Sequence, residues 1–274
     1  MITVVRAGSL TTVQDRGRPG FAHLGVPRSG ALDAPALLRA NALVGNPATA
    51  AGLETTLLGC ALRFAEPARV AVTGATAVVK VDRAPVDATP VDVPAGALLE
   101  VGRATRGVRS YLAVAGGIAV EPVLGSRSTD TLAGLGPPRL TDGMTLPIGT
   151  DTGDISADAP VGVPDELLLK VRLGPHDDWF VAAELFSSAY RISPVSNRVG
   201  ARLAGSALTR AQAGELPSEG MVLGAIQVPP DGQPLIFLAD HPTTGGYPVI
   251  GVVDDVTPLA QARPGTPVRF DALD

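Results

Sequence analysis

Apolar and polar positions alternate in short runs along most of this chain, and one N-terminal stretch carries a clear helical period. Ile2 to Val5 and Thr11 to Gln14 read as strands around a turn at Gly8. Asp33 then caps a helix running through Ala34 to Val44, with Pro35 in its first turn. Ala36, Leu37, Ala40, Leu43 and Val44 form its apolar stripe, and Gly45 ends it. From there to about Ile148 the pattern is one of strands. Arg69 to Thr73 and Ala77 to Val81 flank a turn at Gly74, Asp82-Arg83 makes a hairpin tip before Ala84 to Val86, and Leu98 to Val101 and Val108 to Ala115 follow. A second series comprises Leu167 to Leu173, Arg191 to Ser193, Val199 to Leu203, Val222 to Val228, Leu235 to Ala239, Val249 to Val253 and Val268 to Phe270. Pro175 to Ser187 is the second predicted helix, with Asp177 and Asp178 near its N-terminus, where they suit the helix dipole.

Punctuation by 32 Gly and 25 Pro favours many short strands over long helices. The pattern predicts a mainly β protein of barrel-like or sandwich units with few helices. Residues Thr150 to Pro164 are small, polar and aperiodic. They mark a boundary between a unit over 1–150 and one over 165–274, with 151–164 as linker.

With 274 residues, 45% of them hydrophobic and 18% charged, the chain has the composition of a soluble globular protein with an ample core. Net charge is −5 and the arginines are dispersed, which argues against a nucleic-acid footprint. Cys60 is the one cysteine, so no disulfide forms within the chain, and this fits the cytoplasm. The opening MITVVRAGSL lacks a signal-peptide pattern, and the longest apolar run, Tyr111 to Val120, is too short to cross a bilayer. A cytoplasmic location without membrane attachment is expected.

Several machineries are missing. No glycine loop ends in Lys-Ser or Lys-Thr, so no P-loop is present. His23, His176 and His241 stand far apart, which gives no local metal motif and favours structural or surface roles for them. There is no G-x-S-x-G elbow, no Met-Lys-Met biotin-attachment segment and no Ser-rich amidase loop.

The candidate chemistry gathers at strand ends. The stretch QPLIFLADHPTTGGYPVIG places Asp240, His241, Pro242, Thr243, Thr244, Gly245, Gly246 and Tyr247 between two apolar runs. Glycine permits close backbone approach to a ligand or a positive φ, and Pro242 and Pro248 stiffen the loop. A surface hairpin built of turn formers fits this stretch equally well. Gln14 and Asp15 end another strand, although Asp15 also suits a turn cap. Arg198 and Arg202 in SPVSNRVGAR have the fork geometry for a carboxylate or phosphate, or belong to a solvated edge. Gln227 is an amide in an apolar strand and needs partners there.

Together, TTVQDRGRPGFAHLGVPRSGALD, ALLRANALVGN, YLAVAGG, GSRST, SEGMVLGAIQVPPDGQP and TTGGYPVI resemble the family of 5-oxoprolinase C subunits. That family is also called KipA or allophanate hydrolase subunit 2 and belongs to the biotin-dependent carboxyltransferase group. The resemblance runs from Val5 to Phe270. It implies a mainly β fold of cyclophilin-like β-barrel units with a few short helices. It also implies two partners, a KipI-like protein that forms the B subunit and a third subunit. With these, such proteins open 5-oxoproline to glutamate at the cost of ATP. Related paired domains transfer a carboxyl group from carboxybiotin to urea, and another relative modulates a sporulation histidine-kinase inhibitor. ATP is thus used by the complex, and biotin is not attached to this chain.

Four positions depart from the family pattern. Asn197 stands in place of an Asp before Arg198, His241-Pro242 in place of Arg-Gln, and Val249 in place of a Lys after Tyr-Pro. On this basis Asp15 and Asp240 are the expected catalytic groups, placed to position or deprotonate a nucleophile. Gln14, Asn41 and Gln227 are expected to hold amide groups and Arg198 a carboxylate. Thr243, Thr244 and Tyr247 line the site, and the amides of Gly245 and Gly246 stabilise developing charge. No metal ligand is expected. These residues are expected to line one cleft or one face toward a partner, and Asp240→Asn to slow turnover with little effect on stability.

Overall fold

The computed structural model describes residues 1–87, 89–155 and 162–273. The chain is mainly β, as the alternation predicts. It separates into two compact units whose segments interleave. The first comprises Met1–Arg18, Ser29–Asp130 and Gly134–Val163; the second comprises Pro19–Arg28, Thr131–Ala133 and Pro164–Asp274. Of the linker expected over 151–164, residues 156–161 lie outside the described residues.

In the first unit a six-stranded antiparallel sheet runs in the order Thr145–Leu146, Ile2–Arg6, Ala61–Phe64, Leu98–Val101, Val79–Val81, Ala84–Val86. A five-stranded sheet runs Thr11–Gln14, Gly52–Thr56, Arg106–Val114, Ala68–Thr76, Val91–Val93. Ile2, Val4, Leu62, Phe64, Leu99 and Val101 from one sheet meet Val13, Leu53, Val70, Leu112 and Val114 from the other in one buried core. The opposite face of the five-stranded sheet carries Ala71 and Ala113, which are register partners, and helix Ala34–Leu43 packs there through Ala40, Leu43 and Val44. Small residues on that face let the helix lie close. Asp33 caps it as expected, accepting from the Ala36 amide at 3.0 Å. Cys60 belongs to the main core, and burial pushes its thiol up to about 12, so it is an inert hydrophobe.

Two expectations meet the structure here. Gly74 is no turn. Ala68–Thr76 is one nine-residue strand, and Gly74 sits in it at φ 84 beside a register shift between Arg106 and Ser110. A glycine with positive φ inside a ladder marks a bulge. The Asp82-Arg83 tip does form, with φ 46 and 72, the left-handed pair that a two-residue hairpin requires.

The second unit holds a closed seven-stranded barrel in the order Leu167–Leu173, Val249–Val253, Ala225–Gln227, Leu235–Phe237, Gly200–Gly205, Tyr190–Ile192, Pro267–Ala272. Pro267–Ala272 closes onto Leu167–Leu173 as the parallel pair. Closure removes the exposed edges that short strands otherwise present. Leu167, Leu169 and Val171 are buried, whereas Leu168 and Lys170 face out, the period-two signature of a half-covered strand.

The predicted helix Pro175–Ser187 breaks into a 3-10 turn, Asp177–Trp179, and a single helical turn, Ala183–Ser187. Between them Phe180 is extended, buried and bridged to Arg210, and the Val181 amide donates to Thr209 O at 2.9 Å. Burial of Phe180 and these tertiary hydrogen bonds override local propensity.

Candidate functional site

Asp240 follows the barrel strand Leu235–Phe237 and is completely buried. Its Oδ1 accepts from Arg198 Nη2 at 2.9 Å. Its Oδ2 accepts from Arg198 Nε at 2.9 Å, from the Thr131 amide at 2.9 Å and from Thr131 Oγ1 at 2.6 Å. Burial pushes the carboxyl pKa up, but the Arg198 charge and the hydrogen bonds from Arg198 and Thr131 outweigh it and hold Asp240 below the usual carboxylate range. The backbones are joined as well, with the Asp240 amide donating to Arg198 O at 3.1 Å. Arg198 and Asp240 thus come together as foreseen, but as partners of each other. The bidentate fork assigned to a substrate carboxylate is closed on Asp240.

Past Asp240 the chain does not turn back at once. Thr244–Gly245 pairs with Glu219–Gly220, with Glu219 opposite Gly245, and the Met221 amide donates to Thr243 O at 2.9 Å. A Cβ on Gly245 would lie 2.8 Å from Gln227 Nε2, so a side chain at this position would displace the Gln227 amide. Gln227 spends its amide on its own chain, donating to Tyr247 O at 3.0 Å. Thr244, Gly246 and Tyr247 are exposed and Thr243 and Gly245 half-buried, so this strip presents hydroxyls, bare backbone and one phenol to solvent. Its floor is the apolar cluster of Met221, Ala225, Leu235, Phe237 and Val249. His241 is buried, its Nδ1 is 2.7 Å from Pro242 O, and its ring packs by Phe237.

One pair escaped sequence reasoning. His176, placed by the barrel strand Leu167–Leu173 and held by its amide on Val249 O at 3.2 Å, meets Glu219. Its Nε2 lies 2.9 and 3.0 Å from the two carboxylate oxygens. Forty-three residues separate them in the chain. No local spacing signals the pair. Only the strand-end position of Glu219, beside a glycine, offered a hint.

In the first unit Asp15 is also saturated. Its Oδ1 accepts from the Gly17 amide at 2.7 Å, Ser126 Oγ at 2.6 Å and Ser128 Oγ at 2.5 Å, and its Oδ2 from the Arg127 amide at 2.6 Å. Ser128 Oγ in turn accepts from the Asp15 amide, and Arg18, itself buried, donates to Ser128 O. The GSRST segment is therefore strapped to the end of strand Thr11–Gln14. Gln14, wholly buried, donates to Thr12 Oγ1 and to Thr129 O, each at 3.0 Å. Asn41 closes the loop after its helix, donating to Ala50 O at 2.9 Å and accepting from Asn46 Nδ2 at 3.1 Å. These three residues hold backbone, and their polar atoms are directed into the protein.

A further buried set fixes the helix start. Glu54 accepts from the Leu32 amide at 3.0 Å and from Tyr111 Oη at 2.8 Å, and Tyr111 Oη accepts from the Asp33 amide at 2.8 Å. Burial and then the Glu54 charge push the Tyr111 hydroxyl well above its ordinary range, so it stays a donor.

Among the described residues no cluster of His, Cys, Asp and Glu is arranged to hold a metal ion, and no helix is long and apolar enough to cross a membrane.

Comparison with known proteins fits this architecture. The model of the family "Carboxyltransferase domain, subdomain A and B" matches residues 24–272. The chain is 42% identical over 282 residues to the 5-oxoprolinase C subunit of Escherichia coli, covering 98% of this chain and 90% of that one. The crystal structure of TTHA0988 superposes with a TM-score of 0.88 at 36% identity, covering 98% of this chain and 56% of that one. The urea amidolyase of K. lactis superposes with a TM-score of 0.92 at 30% identity, over 100% of this chain and 19% of that one. The chain thus spans nearly all of a separate subunit, about half of one solved relative, and a fifth of a larger enzyme. It belongs to the family of carboxyltransferase domains built of subdomains A and B.

Proposed function

We propose that this chain is the C subunit of an ATP-dependent 5-oxoprolinase complex, which opens 5-oxoproline to glutamate only when joined by a KipI-like B subunit and a third subunit. The observation that carries the proposal is the 42% identity to a 5-oxoprolinase C subunit over 98% of this chain and 90% of that protein. Lactam opening is difficult because the amide carbonyl is a poor electrophile. ATP supplies a phosphoryl group that activates such an oxygen. Asp15 and Asp240 offer little to a nucleotide and its metal, since both are filled by donors of their own chain. We therefore assign ATP to the partner subunits.

This chain then contributes the strip at Thr243–Tyr247. Gly246, exposed and one residue beyond the paired Gly245, offers an amide to charge developing on the carbonyl oxygen, and the Thr244 hydroxyl is a second donor. Asp240 acts indirectly. Its pairing with Arg198 and Thr131 fixes where the strip begins, so we assign it a positioning role. Asp15 has the same kind of role for the GSRST segment.

The superposition on the urea amidolyase favours a second reading, a carboxyltransferase half acting on a urea-like substrate with a biotin carrier. A regulator of a KipI-like kinase inhibitor is the non-catalytic alternative. We expect the chain to co-purify with the B subunit when the two are co-expressed, and to show no ATP hydrolysis stimulated by 5-oxoproline when purified alone. Robust coupled turnover by the single chain would refute the need for partners.

A further inference from the structure

We propose that Glu219 fixes His176 as a proton acceptor at the edge of the Thr244–Gly246 strip, a role that rests on the substrate reading above. The carboxylate grips one ring nitrogen through both oxygens, at 2.9 and 3.0 Å, and is carried on the two-residue strand that pairs with Thr244–Gly245. A hydrogen bond at Nε2 decides the tautomer. With its proton on Nε2 and directed at Glu219, the neutral ring keeps a lone pair on Nδ1. Among the described residues no hydrogen bond to Nδ1 is present, and the His176 side chain is 17% exposed.

The ring is held from two further sides. Its own amide donates to Val249 O, and Trp179 meets it edge-on at 6.2 Å, with Arg210 stacked over the indole at 5.4 Å. A base oriented by a carboxylate and packed by an aromatic is the arrangement by which a histidine serves acyl transfer. The other candidates at the strip lack it, since Asp240 is closed on Arg198 and Thr131, and His241 Nδ1 already faces Pro242 O.

The step is a proton relay. Nδ1 takes a proton from a water molecule as its oxygen bonds to the activated amide carbonyl carbon. The imidazolium then gives that proton to the amide nitrogen as the C–N bond breaks, which leaves the phosphoryl group on the former carbonyl oxygen as an acyl phosphate. A second water, deprotonated by Nδ1 in the same way, bonds to that carbon, and inorganic phosphate leaves with the C–O electron pair and takes the proton. The ring returns to its starting state, and Glu219 stays ionised throughout.

The chain has three histidines, so long-range proton–nitrogen NMR of the isolated chain resolves each ring. The neutral His176 ring is expected to carry its proton on Nε2, with a slowly exchanging, downfield Nε2 proton. Glu219→Gln should move that proton upfield and mix the tautomers. A ring protonated on Nδ1, or an Nε2 proton indifferent to Glu219→Gln, overturns the proposal. In the assembled complex His176→Gln should lower kcat by roughly 10²–10⁴-fold with KM nearly unchanged. Glu219→Gln should lower kcat less. Undiminished kcat in His176→Gln, or a change confined to KM, also overturns it. A wild-type complex without turnover of 5-oxoproline refutes the substrate reading instead, and the NMR result then decides the His176–Glu219 orientation alone.

Discussion

Asp240→Asn should destabilise the second unit by roughly 3–5 kcal/mol, because it takes a doubly hydrogen-bonded carboxylate charge away from the buried Arg198 guanidinium. Arg198 is 1% exposed and Asp240 0%, so water cannot take over. With a urea dependence of about 1–3 kcal/mol per molar, the midpoint should fall by roughly 1–3 M. Hydrogen exchange should show protection lost first around Asp240 and Thr131. Turnover should then fall through displacement of the strip rather than loss of a base. This replaces the expectation of a stability-neutral variant, which presumed an accessible carboxylate. The linkage has a definite sign. The folded pKa of Asp240 is depressed, so the stability it contributes is fully present above the unfolded value of about 3.9 and is lost as pH falls through the lower folded value. Denaturation at stepped pH should give a wild type that loses stability below about pH 4 and an Asp240→Asn chain with a flatter profile over that range. A midpoint unchanged by the substitution would contradict the clamp.

Asp15→Ala should destabilise the first unit by at least the cost of one unsatisfied buried donor, about 1–3 kcal/mol. It strips the acceptor from Ser126 Oγ, Ser128 Oγ and the amides of Gly17 and Arg127 together. Each buried donor left unsatisfied costs about 1–3 kcal/mol, and members of one network do not add. Asp15→Asn keeps one acceptor and should cost less. Exchange of the amides from Ser126 to Asp130 should accelerate before that of the core strands. Equal protection in wild type and Asp15→Ala would show that the strap does not hold this segment.

Both outcomes show what the residue pattern could and could not convey. Alternation placed the strand Leu167–Leu173 correctly, because a half-covered strand writes its burial into every second residue. The helix after Asp33 was legible for a similar reason, through its cap and its stripe. Gly74 was misread because a bulge and a turn both ask for positive φ. The helix predicted at Pro175–Ser187 failed where Phe180 and Val181 bond with residues near Arg210, about thirty positions away, which no local window contains. The site shows the same limit. Polar residues at strand ends were found because burial makes them costly without partners. Their partners were not, so Asp240 looked like a free acid when it is spent on its own chain, whereas the turn-cap alternative for Asp15 holds in its bond from the Gly17 amide. Thr131, Ser126 and Ser128, which occupy those acids, are small hydroxyls with no signature of their own. His176 was set aside as isolated, since only folding brings it to Glu219.

The most direct test of the account is to assemble the chain with its KipI-like and third subunits and follow glutamate and ADP release from 5-oxoproline and ATP, with urea, bicarbonate and a biotin carrier as the competing set. The account predicts glutamate formed in step with ATP hydrolysis, and neither product when this chain is omitted. Carboxylation of urea without lactam opening, or glutamate formation undiminished in the absence of this chain, would contradict it.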